Sequence, residues 1–199
     1  MPTSSSTPVR AAFLDRDGVL IEDVDWLTHP SQIHLLPGVP QALRRLAQAG
    51  FRLIVVTNQP IVARGLATEA QVEMIHAAIA AQLAGGGAPP LDRFYFCPHH
   101  PNATLPAYRL ICDCRKPRPG LLRRAAEDFG LDLRASFMVG DRITDIAAGA
   151  AAGCRTVLVQ TGKHREPPIH SPDPVDPSLK PDWTCANLTA AAEWMINNQ

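Results

Sequence analysis

The stretch FLDRDGVL, residues 13 to 20, runs an apolar segment straight into two aspartates, Asp15 and Asp17. A carboxylate is ionised at neutral pH, its reference pKa being about 4. It can attack a phosphorus atom without first losing a proton, forming an aspartyl-phosphate. Asp15 is placed as that nucleophile. Asp17, two residues on, can protonate a leaving alkoxide and then deprotonate the attacking water. Gly18 permits a positive φ in the turn that would place both. Carboxylates this close repel each other, and a Mg²⁺ ion would offset that repulsion and the charge of a phosphorylated substrate. Asp141, in VGDRITDI, supplies a third carboxylate, and Asp145 is placed to orient water or a lysine.

A transferring phosphoryl group also needs donors and positive charge. Thr57 and Asn58, in VVTNQ, can donate hydrogen bonds to its oxygens, and Lys116, in CRKPRPG, can supply a fixed cation. One well-placed donor contributes roughly 3–4 kcal/mol. Phosphate-monoester hydrolysis needs rate gains of up to ~10²¹, so several groups must act together. Each short motif alone is ordinary turn or helix-start chemistry. Their order, with each at a predicted strand end or helix start, is what points to a site.

Cysteine and histidine make a second constellation. Cys97 and His99 precede Cys112 and Cys114 in a C-x-H-x12-C-x-C pattern, four ligands suited to tetrahedral Zn²⁺, with His100 as the alternative histidine. With four protein ligands the zinc would be structural, stapling an irregular loop of ~20 residues. Cys154 and Cys185 are left as core or thiol residues.

These residues need elements to hold them. Strands are predicted at 9–14, 51–56, 93–96, 136–139 and 155–159. Helices are predicted at 38–50, from Thr68 through QLA, from Pro119 to Gly130, at 143–152 and at about 188–197. Thr68 and Gln71 have capping-box spacing. Apolar strands alternating with helices imply an α/β fold with a parallel sheet covered on both faces. Ligands of such sheets bind outside the carboxyl ends of the strands. Asp15, Thr57 and Asp141 would therefore share one rim.

The 199 residues suit a single domain over 9–199, after a disordered tail at 1–8. Apolar residues make up 46% of the chain, which supports a substantial core. Lysine plus arginine and aspartate plus glutamate each number 19. That balance argues against a nucleic-acid partner. No stretch reaches the ~20 apolar residues of a membrane span, and no secretory leader is visible. A cytoplasmic monomer is expected.

DRDG, VVTNQ, CRKPRPG and VGDRITDI together resemble the four ordered motifs of haloacid-dehalogenase (HAD) superfamily phosphatases, over about residues 11–162. The resemblance implies a Rossmann-like α/β/α fold and an Asp15 phospho-intermediate. It also implies a Mg²⁺ ligated by Asp15, Asp141 and the backbone carbonyl of Asp17. YFCPHHP followed by CDCRKPRPG, with ARG at 63–65, is similar to the zinc-containing heptose bisphosphate phosphatases. Those enzymes remove the 7-phosphate of D-glycero-D-manno-heptose 1,7-bisphosphate, on the route to nucleotide-activated heptose. Histidinol-phosphate phosphatases are the alternative relatives, and a zinc-stapled binding module is the non-enzymatic one.

Spacing speaks to recognition. Only 39 residues separate Asp17 from Thr57, and 56 separate Asn58 from Arg115. Neither gap leaves the ~50 residues of an independent cap domain beyond its own helix and strand. The fold is expected to be capless, gripping a small phosphosugar with residues 22–29, 59–65 and the zinc loop. Arg64 and Arg115 are candidates for a second phosphate. Where the family commonly has Ser-Gly after TNQ, this chain has Pro60 and Ile61. Pro60 has no N–H to donate and Ile61 disfavours positive φ, so a contact made there by other members would be lost. The Pro-rich segment 164–181 has no assigned role.

Overall fold

A computed structural model describes residues 8–166 and 174–199. The expected tail falls outside these residues except for Pro8, as does 167–173 of the Pro-rich segment. Six strands form one sheet in the order β3-β2-β1-β4-β5-β6. They are β1 (Arg10–Leu14), β2 (Phe51–Asn58), β3 (Arg93–Cys97), β4 (Phe137–Gly140), β5 (Arg155–Val159) and β6 (Trp183–Cys185). Every pairing is parallel. The chain order reverses between β1 and β4, which makes their carboxyl ends the crevice of the sheet.

Five helices cover the sheet: α1 (Val39–Gln48), α2 (Glu69–Gly85), α3 (Gly120–Phe129), α4 (Ile143–Ala152) and α5 (Leu188–Asn197). Side chains of a strand alternate between faces. On β1, Ala12 and Leu14 pack with α1, α2 and α5, while Ala11 and Phe13 pack with α3 and α4. Both faces are thus dry, and the strands read as continuous apolar runs for that reason.

The local signals act as expected. Thr68 accepts the Gln71 N–H at 3.2 Å, and Gln71 Oε1 accepts the Thr68 N–H at 2.8 Å. Such a cap contributes about 1 kcal/mol. The main addition is β6, which lies between the Pro-rich segment and the last predicted helix, where no element is predicted. Its three residues pair with β5, and Trp183 stacks on Trp194 of α5 with ring centroids 5.3 Å apart. Pro119 is the residue that caps α3 rather than lying in its first turn.

Among the described residues no independent cap domain forms. The chain from Asp17 to α1 is a compact flap, bridged by Ile21 to Asp17 and to Leu35. The turn after β2 buries Ile61 and Val62 in a small cluster with Ala67 and Val72. Ile61 needs no unusual backbone there, since Asp25 is the one described non-glycine residue with positive φ.

Candidate active site and thiol cluster

β1 delivers Asp15 to the crevice, where its N–H donates to the Val139 carbonyl at 2.9 Å and so continues the pairing with β4. The chain then turns sharply at Gly18, with φ 77°. A Cβ at Gly18 would stand 2.6 Å from Asp141 Oδ2, and one at Gly162 would stand 2.2 Å from the same atom. The two backbones form a cradle around the Asp141 carboxylate that no side chain would fit. Asp141 Oδ2 accepts the Lys163 N–H at 2.6 Å.

The carboxylates of Asp15, Asp141 and Asp145 converge, each offering an oxygen within 4.8 Å of the others. All three are buried. Lys116 Nζ stands 2.6 Å from Asp145 Oδ1, 2.9 Å from Asp15 Oδ1 and 2.8 Å from the Val56 carbonyl. Two carboxylates and a carbonyl surround the ammonium, so it is a fixed charge. Burial pulls the ammonium down, but Asp145 and Asp15 outweigh it and raise it above the ordinary lysine range. One lysine does not neutralise three carboxylates. Burial, then Asp145 and Asp15, push Asp141 up to about 8. Asp141 Oδ1 is buried without a hydrogen-bond partner, and Asp15 Oδ1 has only the poorly angled lysine. Unpartnered carboxylate oxygens that would otherwise hold a proton are a donor set for a hard divalent cation.

Asp17 lines the same crevice. Its carboxylate turns to Arg16, which grips it with Nε at 3.1 Å and Nη2 at 2.8 Å. Burial raises its pKa, against the pull of Arg16. Thr57 and Asn58, expected just after the strand, are the last two residues of β2. One N–H of Asn58 donates to the Lys116 carbonyl and its Oδ1 accepts the Lys116 N–H, both at 3.0 Å. Asn58 therefore clamps the lysine segment and also lines the crevice. The crevice holds about 240 Å³. Its wall carries Arg64, whose guanidinium lies 5.1 Å from the Trp26 ring centre, and Arg115, whose Nη1 donates to the His99 carbonyl at 3.1 Å. Each arginine keeps a buried Nε without a partner. Burial lowers Arg115, and the neighbouring Arg64 charge adds to that.

Beside this wall the four residues of the C-x-H-x12-C-x-C pattern meet. The sulfurs of Cys97, Cys112 and Cys114 lie 3.0–3.5 Å apart, and His99 Nδ1 is 3.4 Å from Cys114 Sγ. All five cysteines are free thiols. The bond from Cys97 draws Cys114 down to about 5, while Cys97 itself is raised. Three thiols and an imidazole so packed fit tetrahedral zinc. His100 lies outside the cluster, its Nδ1 accepting the Asn102 N–H at 3.0 Å. The loop is pinned to the turn after β2 by Leu105 N–H donating to the Ala63 carbonyl.

A HAD-hydrolase-like family model matches residues 113–191. The D-glycero-β-D-manno-heptose-1,7-bisphosphate 7-phosphatase of Salmonella typhi is 44% identical over 96% of this chain and 91% of its own length. The Escherichia coli enzyme of that name is 39% identical over 96% and 90%. The chain belongs to the heptose-1,7-bisphosphate 7-phosphatase family. A crystal structure of the D,D-heptose 1,7-bisphosphate phosphatase from B. bronchiseptica, complexed with magnesium and phosphate, superposes with TM-score 0.79. It is 35% identical and covers 96% of this chain and 100% of that one.

For a member of this phosphatase family, the sequence reading overlooked several neighbours of the site. Arg16 carried no expected role, and Gln59, expected within the 59–65 segment that grips substrate, does not line the crevice but bonds Asp17 and Thr57. The segment after β5 was passed over entirely. There Thr161 donates to the Gly18 carbonyl at 2.6 Å, and Lys163 reaches Asp23 at 3.3 Å and Asp25 at closer range. The rule that polar residues after a parallel strand face the crevice, applied to β5, would have found Thr161 and Lys163.

Proposed function

We propose that this protein hydrolyses the 7-phosphate of D-glycero-D-manno-heptose 1,7-bisphosphate through an aspartyl-phosphate on Asp15. The observation that carries the reading is the 39–44% identity to phosphatases of that substrate across nearly the whole chain. The convergence of Asp15, Asp141 and Lys116 supports it chemically.

In this reading Mg²⁺, held by Asp15, Asp141 and the Asp17 carbonyl, supplies neutralisation of charge at the phosphoryl oxygens. Asp15 attacks phosphorus and the bond to the C7 oxygen breaks. Asp17 gives that oxygen its proton. Asp17 next takes a proton from water as the water oxygen attacks phosphorus, and the Asp15–phosphorus bond breaks to release orthophosphate. Thr57, Asn58 and Lys116 hold the phosphoryl oxygens and fix the nucleophile. Asp145 orients Lys116. Arg64 and Arg115 take the 1-phosphate, with their unpartnered Nε atoms as support.

Zn²⁺ on Cys97, His99, Cys112 and Cys114 staples the loop that ends in Arg115 and Lys116. Five free thiols suit a reducing compartment, and a cytoplasmic monomer is part of the proposal. No helix of the described residues is long and apolar enough to cross a membrane. Side-by-side turnover of heptose 1,7-bisphosphate and histidinol phosphate, with and without Mg²⁺, tests the reading. Mg²⁺-dependent preference for the heptose is expected, and preference for histidinol phosphate would overturn it.

A further inference from the structure

Gln59 follows the two strand-end residues that face the crevice, but it does not line the crevice itself. It is 2% exposed, and its backbone N–H donates to the Cys97 carbonyl at 2.8 Å. Its side-chain nitrogen carries two hydrogens. Both are engaged, one by Asp17 Oδ2 at 3.0 Å and one by Thr57 Oγ1 at 3.0 Å.

Each contact has a consequence. At Asp17, Arg16 already holds both carboxylate oxygens, and Gln59 adds a second bond at Oδ2 that ties the carboxylate to the end of β2. The carboxylate cannot swing without breaking bonds between buried groups. At Thr57, accepting from Gln59 occupies the hydroxyl oxygen on its protein side. The one hydroxyl proton is then free to donate outward, toward a phosphoryl oxygen.

We propose that Gln59 is a positioning residue that couples proton delivery by Asp17 to phosphoryl binding by Thr57. The inference rests on the reading of Asp17 as the acid–base group. Through one amide, the group that serves the leaving oxygen and the group that serves the transferring phosphoryl are set relative to each other. Misplacement of either by about 1 Å is costly at a near-attack geometry.

Leaving-group dependence separates this role from a structural one. Glycerol 2-phosphate leaves as an alkoxide and needs the proton of Asp17. p-Nitrophenyl phosphate leaves as a stable phenolate and needs it little. Steady-state kinetics with Mg²⁺ on both substrates, and inhibition by inorganic phosphate, are measured for wild type, Gln59→Met and Gln59→Glu. Gln59→Met is expected to lose kcat/KM, which reports the step that expels the leaving group, by about 10-fold more on glycerol 2-phosphate than on p-nitrophenyl phosphate, a share of the roughly 10²–10⁴ that acid–base catalysis supplies. Phosphate inhibition is expected to weaken several-fold. Gln59→Glu keeps the shape but replaces the fixed amide donor by a second carboxyl group that must share a proton with Asp17, so it should show the same pattern should the methionine variant fold poorly. Equal losses on the two substrates, or unchanged inhibition by phosphate, overturn the proposal. Undiminished turnover of glycerol 2-phosphate by Asp17→Asn overturns the acid–base reading instead, and is recognised without any Gln59 variant.

Discussion

Lys116 and Asp145 form an ion pair of 2.6 Å between side chains that are 2% and 1% exposed. Burying two charges costs several kcal/mol each before their attraction is counted, so such a pair is poor evidence of stability. Its meaning lies in what else the lysine touches. Asp145 holds Lys116 from one side, the Val56 carbonyl holds it from another, and the remaining direction is Asp15.

Lys116→Met leaves three buried carboxylates without an internal cation. We expect turnover to fall by ~10²-fold or more, the scale of losing one charge-stabilising group. Unfolding free energy without Mg²⁺ should fall by roughly 3–5 kcal/mol, as for a broken buried pair. Adding Asp145→Asn should restore part of the stability and none of the turnover. Urea titration with parallel phosphate release checks both, and a variant with normal turnover would remove Lys116 from the machinery.

The thiol cluster carries a separable expectation. Metal analysis should find zinc with the purified protein, and Cys112→Ser should lose it. Structural zinc supplies on the order of 10 kcal/mol of local folding energy. Chelation should therefore open new protease cleavage between 97 and 116 and lower activity, because Arg115 and Lys116 end that loop. A digestion pattern unchanged by chelation would contradict the staple.

His76 sets an acid limit on stability. Its ring stacks on Phe94 with centroids 4.6 Å apart, and neither nitrogen has a hydrogen bond. Burial, then the Arg16 charge, pull its pKa from 6.5 down to about 3. The exposed Glu73 carboxylate at 3.7 Å does not reverse this. The unfolded chain binds a proton that the folded chain refuses between those two values. The stability in question is complete above pH 6.5 and is lost as pH falls toward 3. Between pH 7 and pH 5 the loss is about 2 kcal/mol. Denaturant unfolding at both pH values should show this term in wild type and not in His76→Phe. An equal pH drop in both proteins would refute it.

Arg64 and Arg115 face the crevice with no carboxylate partner among the described contacts. Arg64→Gln and Arg115→Gln should raise KM for the bisphosphate while leaving turnover of a small monophosphate nearly unchanged. Comparing the two substrates for each variant is sufficient. Equal effects on both would place the arginines elsewhere in the mechanism.

The alternation of apolar strands with helices was enough to read five of six strands and all five helices, because burial on both faces writes itself as unbroken apolar runs. β6 escaped because three residues at a sheet edge, Trp183–Cys185, carry no period. At the site, Asp15, Asp141, Thr57 and Lys116 were legible because each ends a strand or precedes a proline-marked helix start. Gln59 and Arg16 were not, since their meaning is a contact with Asp17 rather than a position in a pattern. Ile61, expected to avoid positive φ, sits in ordinary backbone, and the turn buries it in a cluster with Val62 and Val72.

The central claim is a covalent phosphoryl group on Asp15. Wild-type protein mixed with heptose 1,7-bisphosphate radiolabelled in its 7-phosphate, quenched in acid within one turnover and digested, tests it most directly. The account predicts label on the peptide that carries Asp15, and none in Asp15→Asn, which should stay folded and inactive. Label on another peptide, or normal turnover by Asp15→Asn, would contradict it.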